Sequence, residues 1–185
     1  MREERIFDAV EFAAKAHRGH YRKGTKVPYL IHLLNVAKIL INLEAEEEVI
    51  IAGLLHDTIE DTNVTIEEIR SEFGDKVAEL VLCASEPVKS DTWENRKSHT
   101  IVYLKTCPRD VLLLACADKL DNIRSIKEEY KELGDAVWKR FSRPREKQEW
   151  YYRSLTAEFG SRAWDKKSEE LFSKFRSEVE EVFNS

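Results

Sequence analysis

The sequence contains few residues that interrupt helices and few cysteines. Only six glycines and four prolines occur among 185 residues, and strict alternation of apolar and polar residues is nearly absent, so the pattern favours helices over strands. The three cysteines are widely spaced and form no CxxC pair, which argues against a disulfide framework or a thiolate zinc site and indicates a reducing compartment. No apolar run approaches the roughly 18 residues that a bilayer crossing needs, so we expect no membrane partner.

The chain also lacks an excess of positive charge. Its 30 Lys and Arg residues stand against 35 Asp and Glu residues, for a net charge of -5. General nucleic-acid binding needs a basic face, so we expect no nucleic-acid partner, and any affinity for phosphate must come from a local cluster. The N-terminal segment has the pattern of an amphipathic helix without the apolar core of a secretion signal. We therefore expect a cytoplasmic protein.

The length and the helical periodicity predict one compact all-α domain with roughly nine or ten helices. One helix is predicted from Glu46 to Ile59, and Thr65 with Glu68 has the capping-box pattern that begins the next. Pro108 precedes the most apolar run of the chain, VLLLACADKL, so that helix should be central. The last helix is predicted from Ser161 to Phe183.

Three places along the chain carry metal-competent polar residues inside apolar helical segments. His32 lies in PYLIHLLNVAKIL, His56 and Asp57 follow IIAGLL, and Asp118 follows VLLLACA. Burying an ionised carboxylate is unfavourable by several kcal/mol unless another charge compensates it. One divalent cation held by two imidazoles and two carboxylates satisfies all these groups together, and such a ligand set without thiolate suits Mn²⁺, Fe²⁺ or Zn²⁺. The sequence therefore predicts a metal site inside a helical bundle.

Each of these residues also has an interpretation without a metal. A single histidine on an apolar helix is more often a core residue with satisfied hydrogen bonds, and Asp118 alone fits a buried hydrogen-bond hub. Glu60 and Asp61 lie one helical turn after His56 and Asp57, so they can face the same ion pocket if the helix continues. One of the two carboxylates could then orient or deprotonate an attacking water. The alternative is that they merely end a helix above a turn.

A basic loop that contains glycine precedes His32. Arg18, Arg22, Lys23 and Lys26 lie within 14 residues of that histidine. An arginine plane can stack on a base and can also pair with phosphate. The loop is therefore a candidate for neutralising phosphates, and the alternative interpretation is solvated surface charge.

The order of the proposed metal-site residues resembles that of the HD-domain metal-dependent phosphohydrolases. Three segments narrow the resemblance to the hydrolase domain of the RelA/SpoT group: RKGTKVPYLIH (22–32), HDTIEDT (56–62) and ADKLDNIRS (117–125). The length is similar to that of the stand-alone small alarmone hydrolases. We expect one HD hydrolase domain over residues 1–185, in which C-terminal helices (135–185) pack on a motif-bearing core (about 7–125).

The resemblance implies an all-helical fold and hydrolysis of the 3′-diphosphate of ppGpp or pppGpp with release of pyrophosphate. It also implies bound Mn²⁺, with another divalent transition metal left open. Asn122 and Ser125 follow Asp118 at i+4 and i+7 and so share its helix face. Carried over to this sequence, the metal ligands are His32, His56, Asp57 and Asp118, the catalytic carboxylates are Glu60 and Asp61, and the substrate-binding residues are Arg22, Lys23, Asn122 and Ser125.

Some features keep other functions open. Asp121 stands where the family commonly has His, which brings an anion near the nucleotide pocket and could alter substrate preference. The alternatives are an HD phosphohydrolase that acts on the 2′-phosphate of NADPH, a nucleoside monophosphate or a cyclic nucleotide, and a module that binds nucleotide without turnover. No synthetase domain fits in the remaining sequence, so we expect hydrolysis without synthesis. The aromatic C-terminal third fits core packing, and a homodimer face is the alternative.

Overall fold

The computed structural model describes residues 2–85, 90–162 and 165–184. Within these ranges ten α-helices and one 3-10 helix follow one another, and the only β-type pairing there is an isolated antiparallel bridge between Tyr21 and Pro28. The all-α fold predicted from the sequence is confirmed. The α-helices are α1 (Arg2–Ala16), α2 (Leu30–Asn42), α3 (Glu47–Leu55), α4 (Thr58–Asp61), α5 (Ile66–Phe73), α6 (Asp75–Ala84), α7 (Trp93–Leu104), α8 (Arg109–Leu133), α9 (Arg145–Gly160) and α10 (Lys166–Phe183), and the 3-10 helix is Gly134–Arg140.

Helix α8 lies at the centre of the bundle, as its apolar run predicts. It packs against α2, α3, α6 and α10. Leu112, Leu114 and Cys116 on this helix are fully buried, and each buried leucine side chain contributes about 1.5–3 kcal/mol to folding through the hydrophobic effect. Pro108 precedes the helix, and its fixed φ suits that position. A polar residue on α8 is thereby held deep in the molecule.

Helix α3 packs against α2 at Gly53, where the glycine leaves room for the side chains of α2. A Cβ atom at this position would lie 2.7 Å from Leu40 Cδ1 and 3.4 Å from Val36 Cγ1, both on α2. A side chain there would therefore force the buried Leu40 side chain out of its position. The close packing brings His32 of α2 beside the end of α3.

The helix predicted from Glu46 to Ile59 is interrupted, so this prediction was wrong. Helix α3 ends at Leu55, and α4 begins at Thr58. The His56 ring Nδ1 donates to the Gly53 carbonyl oxygen at 2.9 Å, and the backbone at Asp57 flattens to φ -94° and ψ -2°. A side-chain donor thus takes a carbonyl that a continuing helix would use for its own amide ladder.

The C-terminal helices pack onto the rest of the bundle, α9 against α7, and α10 against both α8 and α9. The last helix begins at Lys166 and not at Ser161, because the Asp165 carboxylate accepts from the Ser168 amide in a capping box. The capping box predicted at Thr65 and Glu68 is confirmed. Seven of the ten aromatic residues of this third are buried, which supports core packing. They are Trp138, Tyr151, Tyr152, Phe159, Phe172, Phe175 and Phe183.

Two sequence-based expectations fall partly outside the described ranges. Trp164, one of the ten aromatic residues, lies outside them, as do residues 86–89 of the loop expected between α6 and α7. Within the described ranges, no helix combines the length and apolar character of a membrane span, and all three cysteines are unpaired.

Candidate functional site

Two buried histidines from different helices face each other inside the bundle. The ring centroids of His32 and His56 are 5.3 Å apart, and the residues are only 2% and 3% exposed. Their Nδ1 atoms lie against acceptors, Asp121 Oδ2 at 2.6 Å for His32 and the Gly53 carbonyl oxygen at 2.9 Å for His56. Because these oxygens accept, each Nδ1 carries hydrogen, and the lone pair of the neutral ring stays on Nε2. Neither Nε2 has a hydrogen-bond partner within the described part of the chain.

Two carboxylates lie where these Nε2 atoms point. Asp118 Oδ1 is 3.3 Å from His32 Nε2 and 3.8 Å from His56 Nε2. Asp57 Oδ2 is 3.0 Å from His56 Nε2 and 3.6 Å from His32 Nε2. The candidate ligand atoms of His32, His56 and Asp118 all lie within 4.8 Å of one another. The structure therefore brings together all four residues that the sequence analysis assigned to the metal.

The chemistry of this cluster fits a divalent cation. Nitrogen lone pairs and carboxylate oxygens at these distances repel one another unless a positive charge lies between them. Among the described residues, the Lys119 ammonium is the lysine or arginine group paired with this cluster. With both imidazoles neutral, the carboxylates of Asp57, Asp118 and Asp121 therefore leave two negative charges uncompensated. A divalent cation would neutralise them and would also satisfy the orphaned Nε2 atoms.

A proton competes with a cation for the same position. Burial lowers the pKa of His56, but the carboxylates of Asp57 and Asp118 outweigh burial and raise it well above its usual value. Burial opposes ionisation of Asp118, yet the Lys119 ammonium and both histidines hold the pKa of this carboxyl well below its usual range. The carboxylates are therefore ionised at neutral pH, and the imidazole is the group that exchanges a proton for a cation.

Neighbouring side chains fix the orientation of both carboxylates. Tyr29 Oη donates to Asp57 Oδ2 at 2.5 Å, and burial together with the Asp57 charge raises the pKa of Tyr29 far above its usual value, so it remains a donor. Lys119 Nζ donates to Asp118 Oδ2 at 2.6 Å, and Asn122 Nδ2 donates to Asp118 Oδ1 at 2.5 Å. The candidate ligands are thus held by hydrogen bonds before any substrate binds.

Glu60 and Asp61 lie on α4, directly after the cluster. The Asp61 amide donates to the Asp57 carbonyl oxygen at 3.0 Å. Asp61 therefore lies one helical turn after Asp57, as the sequence analysis expected. The Asp61 charge also helps to raise the pKa of Tyr29, which indicates that the carboxylate is close to the site. Glu60 is half-buried. The helix break at His56 removes the continuous turn that the sequence analysis assumed between His56 and Glu60.

A polar cavity of about 500 Å³ opens beside His32. Arg22 and Ser125 line it together with His32 and Asp121. Arg22 Nη2 donates to Asn122 Oδ1 at 2.6 Å, and the Arg22 guanidinium carbon lies 5.6 Å from the centroid of the Tyr29 ring. Three of the four predicted substrate-binding residues therefore gather on the same side of the His–Asp cluster.

The fourth predicted substrate-binding residue, Lys23, has an exposed side chain and does not line this cavity. Arg22 and Lys23 are neighbours in a hairpin closed by the bond from the Arg22 amide to the Val27 carbonyl oxygen, 2.8 Å. The Thr25 amide donates to the Arg22 carbonyl oxygen at 3.0 Å, so Lys23 lies within the turn. Arg22, before the turn, lines the cavity, whereas the side chain of Lys23 is exposed.

A clamp of charged residues holds the basic hairpin against α8. Arg140, at the end of the 3-10 helix, bonds to the Glu129 carboxylate and also donates to the Lys23 carbonyl oxygen at 3.3 Å. Ser125 Oγ donates to the same carboxylate at 3.2 Å. The clamp therefore joins the hairpin that carries Arg22 to the helix that carries Asn122.

A second cavity, of about 230 Å³, lies on the other side of the cluster. His56 and Asp118 line it, with Lys119 and Tyr151 among its polar groups and mostly apolar residues elsewhere. Tyr151 Oη is buried and has no hydrogen-bond partner among the described residues. The cluster thus separates two cavities, with His32 facing one and His56 facing the other.

Three residues of the site had no structural role in the sequence analysis. Tyr29 lies three positions before His32 and Asp121 three positions after Asp118, and this spacing on a helix face is the signal that could have revealed both. Lys119 is adjacent to Asp118, and adjacent helical residues normally diverge, so its pairing had no comparable signal.

Comparison with known proteins is consistent with this site. The family model of the HD domain matches residues 9–145. A guanosine-3′,5′-bis(diphosphate) 3′-pyrophosphohydrolase of Aquifex aeolicus is 43% identical over 127 residues, which cover 66% of this chain and 18% of that protein. The chain therefore spans less than a fifth of that relative's length.

Shorter relatives match over most of their own length. The guanosine-3′,5′-bis(diphosphate) 3′-pyrophosphohydrolase MESH1 of Danio rerio is 38% identical over 125 residues, which cover 65% of this chain and 68% of that protein. A solved structure described as a metazoan ortholog of SpoT that hydrolyzes ppGpp superposes with a TM-score of 0.76 at 25% identity, covering 94% of each chain. The resemblance inferred from the motifs is confirmed, and the chain belongs to the HD-domain family, in the group that includes MESH1.

Proposed function

We propose that this chain is a metal-dependent phosphohydrolase that removes the 3′-diphosphate of ppGpp or pppGpp and releases pyrophosphate. The observation that carries the proposal is the buried pair of unpartnered Nε2 atoms facing two carboxylates, directly beside a cavity that contains Arg22. The names of the two relatives described above support the substrate, since both are named 3′-pyrophosphohydrolases.

The metal is held by His32, His56, Asp57 and Asp118 in this proposal. We take Mn²⁺ as the cation, because nitrogen and carboxylate ligands without thiolate suit it. A divalent cation bound there would polarise a phosphoryl oxygen and lower the pKa of water. The hydrogen bonds from Tyr29 and Lys119 keep the carboxylates in position while the substrate enters.

The other residues act on the substrate and on the proton. Glu60 or Asp61 takes the proton of the attacking water, whose oxygen forms a bond to the phosphorus that carries the ribose 3′ oxygen. The bond between that phosphorus and the 3′ oxygen breaks, the 3′ oxygen takes up a proton, and the diphosphate leaves with the new oxygen. The Arg22 guanidinium, with Asn122 and Ser125, holds the nucleoside side in the larger cavity.

The smaller cavity gives the diphosphate a place on the opposite side of the cluster. Its polar lining contains the Lys119 ammonium and the unpartnered Tyr151 hydroxyl, both of which are hydrogen-bond donors that suit phosphate oxygens. Substrate would then lie across the His–Asp cluster, with its two ends in separate cavities.

Product analysis tests the proposal. Purified chain incubated with ppGpp and Mn²⁺ should yield GDP and pyrophosphate, separated by ion-exchange chromatography, and excess chelator should abolish both. Parallel samples contain pppGpp, NADPH, a nucleoside monophosphate or a cyclic nucleotide. Phosphate release from NADPH without pyrophosphate release from ppGpp would identify NADPH, and not ppGpp, as the substrate. Calorimetric binding of ppGpp without any product would favour a non-catalytic module.

A variant separates the catalytic carboxylate from the metal ligands. Glu60→Gln should bind Mn²⁺ as tightly as the unmodified chain, yet lose about 10²–10⁴-fold in turnover, because proton transfer by a positioned side chain contributes that much. Glu67→Gln, an exposed carboxylate on the next helix, is the matched control and should keep full turnover. If Glu60→Gln loses its metal instead, Glu60 is a ligand and not a base.

Three finer assignments belong to the same proposal. We place the whole of residues 1–185 in one hydrolase domain, which limited proteolysis tests. We also propose a cytoplasmic location, for which the unpaired cysteines are the support and cell fractionation the test. A homodimer stays a prediction for light scattering, with the exposed Trp150 as the aromatic residue of the C-terminal third that is available for a contact.

A further inference from the structure

Asp121 forms hydrogen bonds through both of its carboxylate oxygens. Oδ2 accepts from His32 Nδ1 at 2.6 Å, and Oδ1 accepts from Asn35 Nδ2 at 2.9 Å. His32 and Asn35 lie on α2, whereas Asp121 lies on α8, one turn after Asp118. The anion that the sequence analysis placed near the nucleotide pocket does line the larger cavity, but both of its oxygens are bonded to side chains of α2.

The two candidate histidine ligands differ in what supports them. His56 Nδ1 donates to a neutral backbone carbonyl, whereas His32 Nδ1 donates to an ionised carboxylate. A carboxylate acceptor fixes the tautomer and the ring orientation, and it also increases the electron density on the opposite nitrogen. His32 Nε2 is therefore the stronger electron donor of the two.

The position of this carboxylate also matters for charge. Asp121 is mostly buried, with 13% of its side chain exposed, so its field acts on the cluster with little screening by water. The Lys119 ammonium offsets one carboxylate of the cluster. Removing the Asp121 charge would leave one uncompensated negative charge for a divalent cation instead of two.

We propose that Asp121 is a positioning residue that sets the cation affinity of the site through His32, and that Asn35 holds Asp121 in place. The inference rests on the proposed metal site. It assigns to the residue that departs from the family pattern a role in binding metal through His32.

The test measures Mn²⁺ binding to the metal-free full-length chain by isothermal titration calorimetry. Asp121→Asn keeps the shape of the side chain and removes its charge, and it should weaken Mn²⁺ binding by about 10–100-fold. Asn35→Ala changes an exposed residue, folds readily, and should weaken binding by about threefold, since it removes a single supporting hydrogen bond. Asp110→Asn makes the same change on α8 about 16 Å away along the helix and should leave the affinity unaltered.

A second readout separates this role from a general loss of structure. Long-range ¹H–¹⁵N spectra should assign the hydrogen to Nδ1 of His32 in the metal-free chain, and Asp121→Asn should show a mixture of tautomers while circular dichroism stays unchanged. At saturating Mn²⁺ the variant should recover the KM for ppGpp of the unmodified chain, because the change keeps the shape of the side chain and leaves Arg22 and Ser125 of the cavity unaltered.

The outcomes are distinguishable. Absence of Mn²⁺ binding by the unmodified chain overturns the proposed metal site. Normal binding by that chain with unaltered affinity in Asp121→Asn overturns only the role of Asp121. A raised KM that persists at saturating Mn²⁺ would return Asp121 to nucleotide recognition.

Discussion

Cation binding should stabilise the folded chain measurably, because the fold gathers negative charge and unpartnered lone pairs in one buried place. The perturbation is removal of metal by a chelator, followed by addition of Mn²⁺. A ligand that binds only the folded state stabilises it by about 2.7 kcal/mol at a free concentration of 100 times its dissociation constant. For a chain of this length, 1 kcal/mol shifts Tm by about 2–4 °C. The expected rise in Tm is therefore about 5–10 °C.

Differential scanning calorimetry of the metal-free chain, with and without Mn²⁺ at that ratio, measures this shift. Asp57→Asn is the control, since it preserves the acceptor for the Tyr29 hydroxyl and removes one charged candidate ligand. Its Tm should change by less than about 2 °C on addition of Mn²⁺. The reasoning is refuted if the unmodified chain shows no rise, and also if Asp57→Asn rises equally, because the cation would then bind elsewhere.

Two further predictions concern protons and the basic hairpin. The pKa of His56 is raised above its usual value by Asp57 and Asp118, so below that raised pKa a proton must leave before the metal binds. Mn²⁺ affinity should therefore increase with pH, by up to about tenfold per pH unit, and calorimetric titrations between about pH 6 and 8 that show a constant affinity would contradict this. Arg140→Ala should raise the KM for ppGpp about tenfold and change kcat little, because it loosens the hairpin that carries Arg22. Arg143→Ala, which removes a surface pair with Glu94, should leave the steady-state kinetics unaltered, and equal losses in both variants would point to general destabilisation.

The helical bundle and the four central residues were predictable from the sequence. Low glycine and proline content favours helices. The apolar run of α8 covers all sides of the helix for nearly two turns, which predicts a helix surrounded by others. His32, His56, Asp57 and Asp118 were recognisable for the opposite reason, as polar groups in segments that otherwise bury apolar surface. Such groups are unfavourable in a core unless a charge or a hydrogen bond compensates them, so the pattern indicated that one cation could serve all four.

Contacts between elements distant in sequence decided the rest. Packing and backbone hydrogen bonds, which local propensity does not predict, determine three features. They are the contact of α2 with α3 at Gly53, the helix break at His56 and the outward direction of Lys23. Asp121 is the clearest case. Its residue type suggested an effect near the nucleotide pocket, whereas the packing of α8 against α2 places its carboxylate against His32. Hydrophobic pattern and residue chemistry determined which side chains are buried. The hydrogen-bond partners of these side chains, the histidine tautomers and the cavities depend on the packing of helices that are distant in sequence.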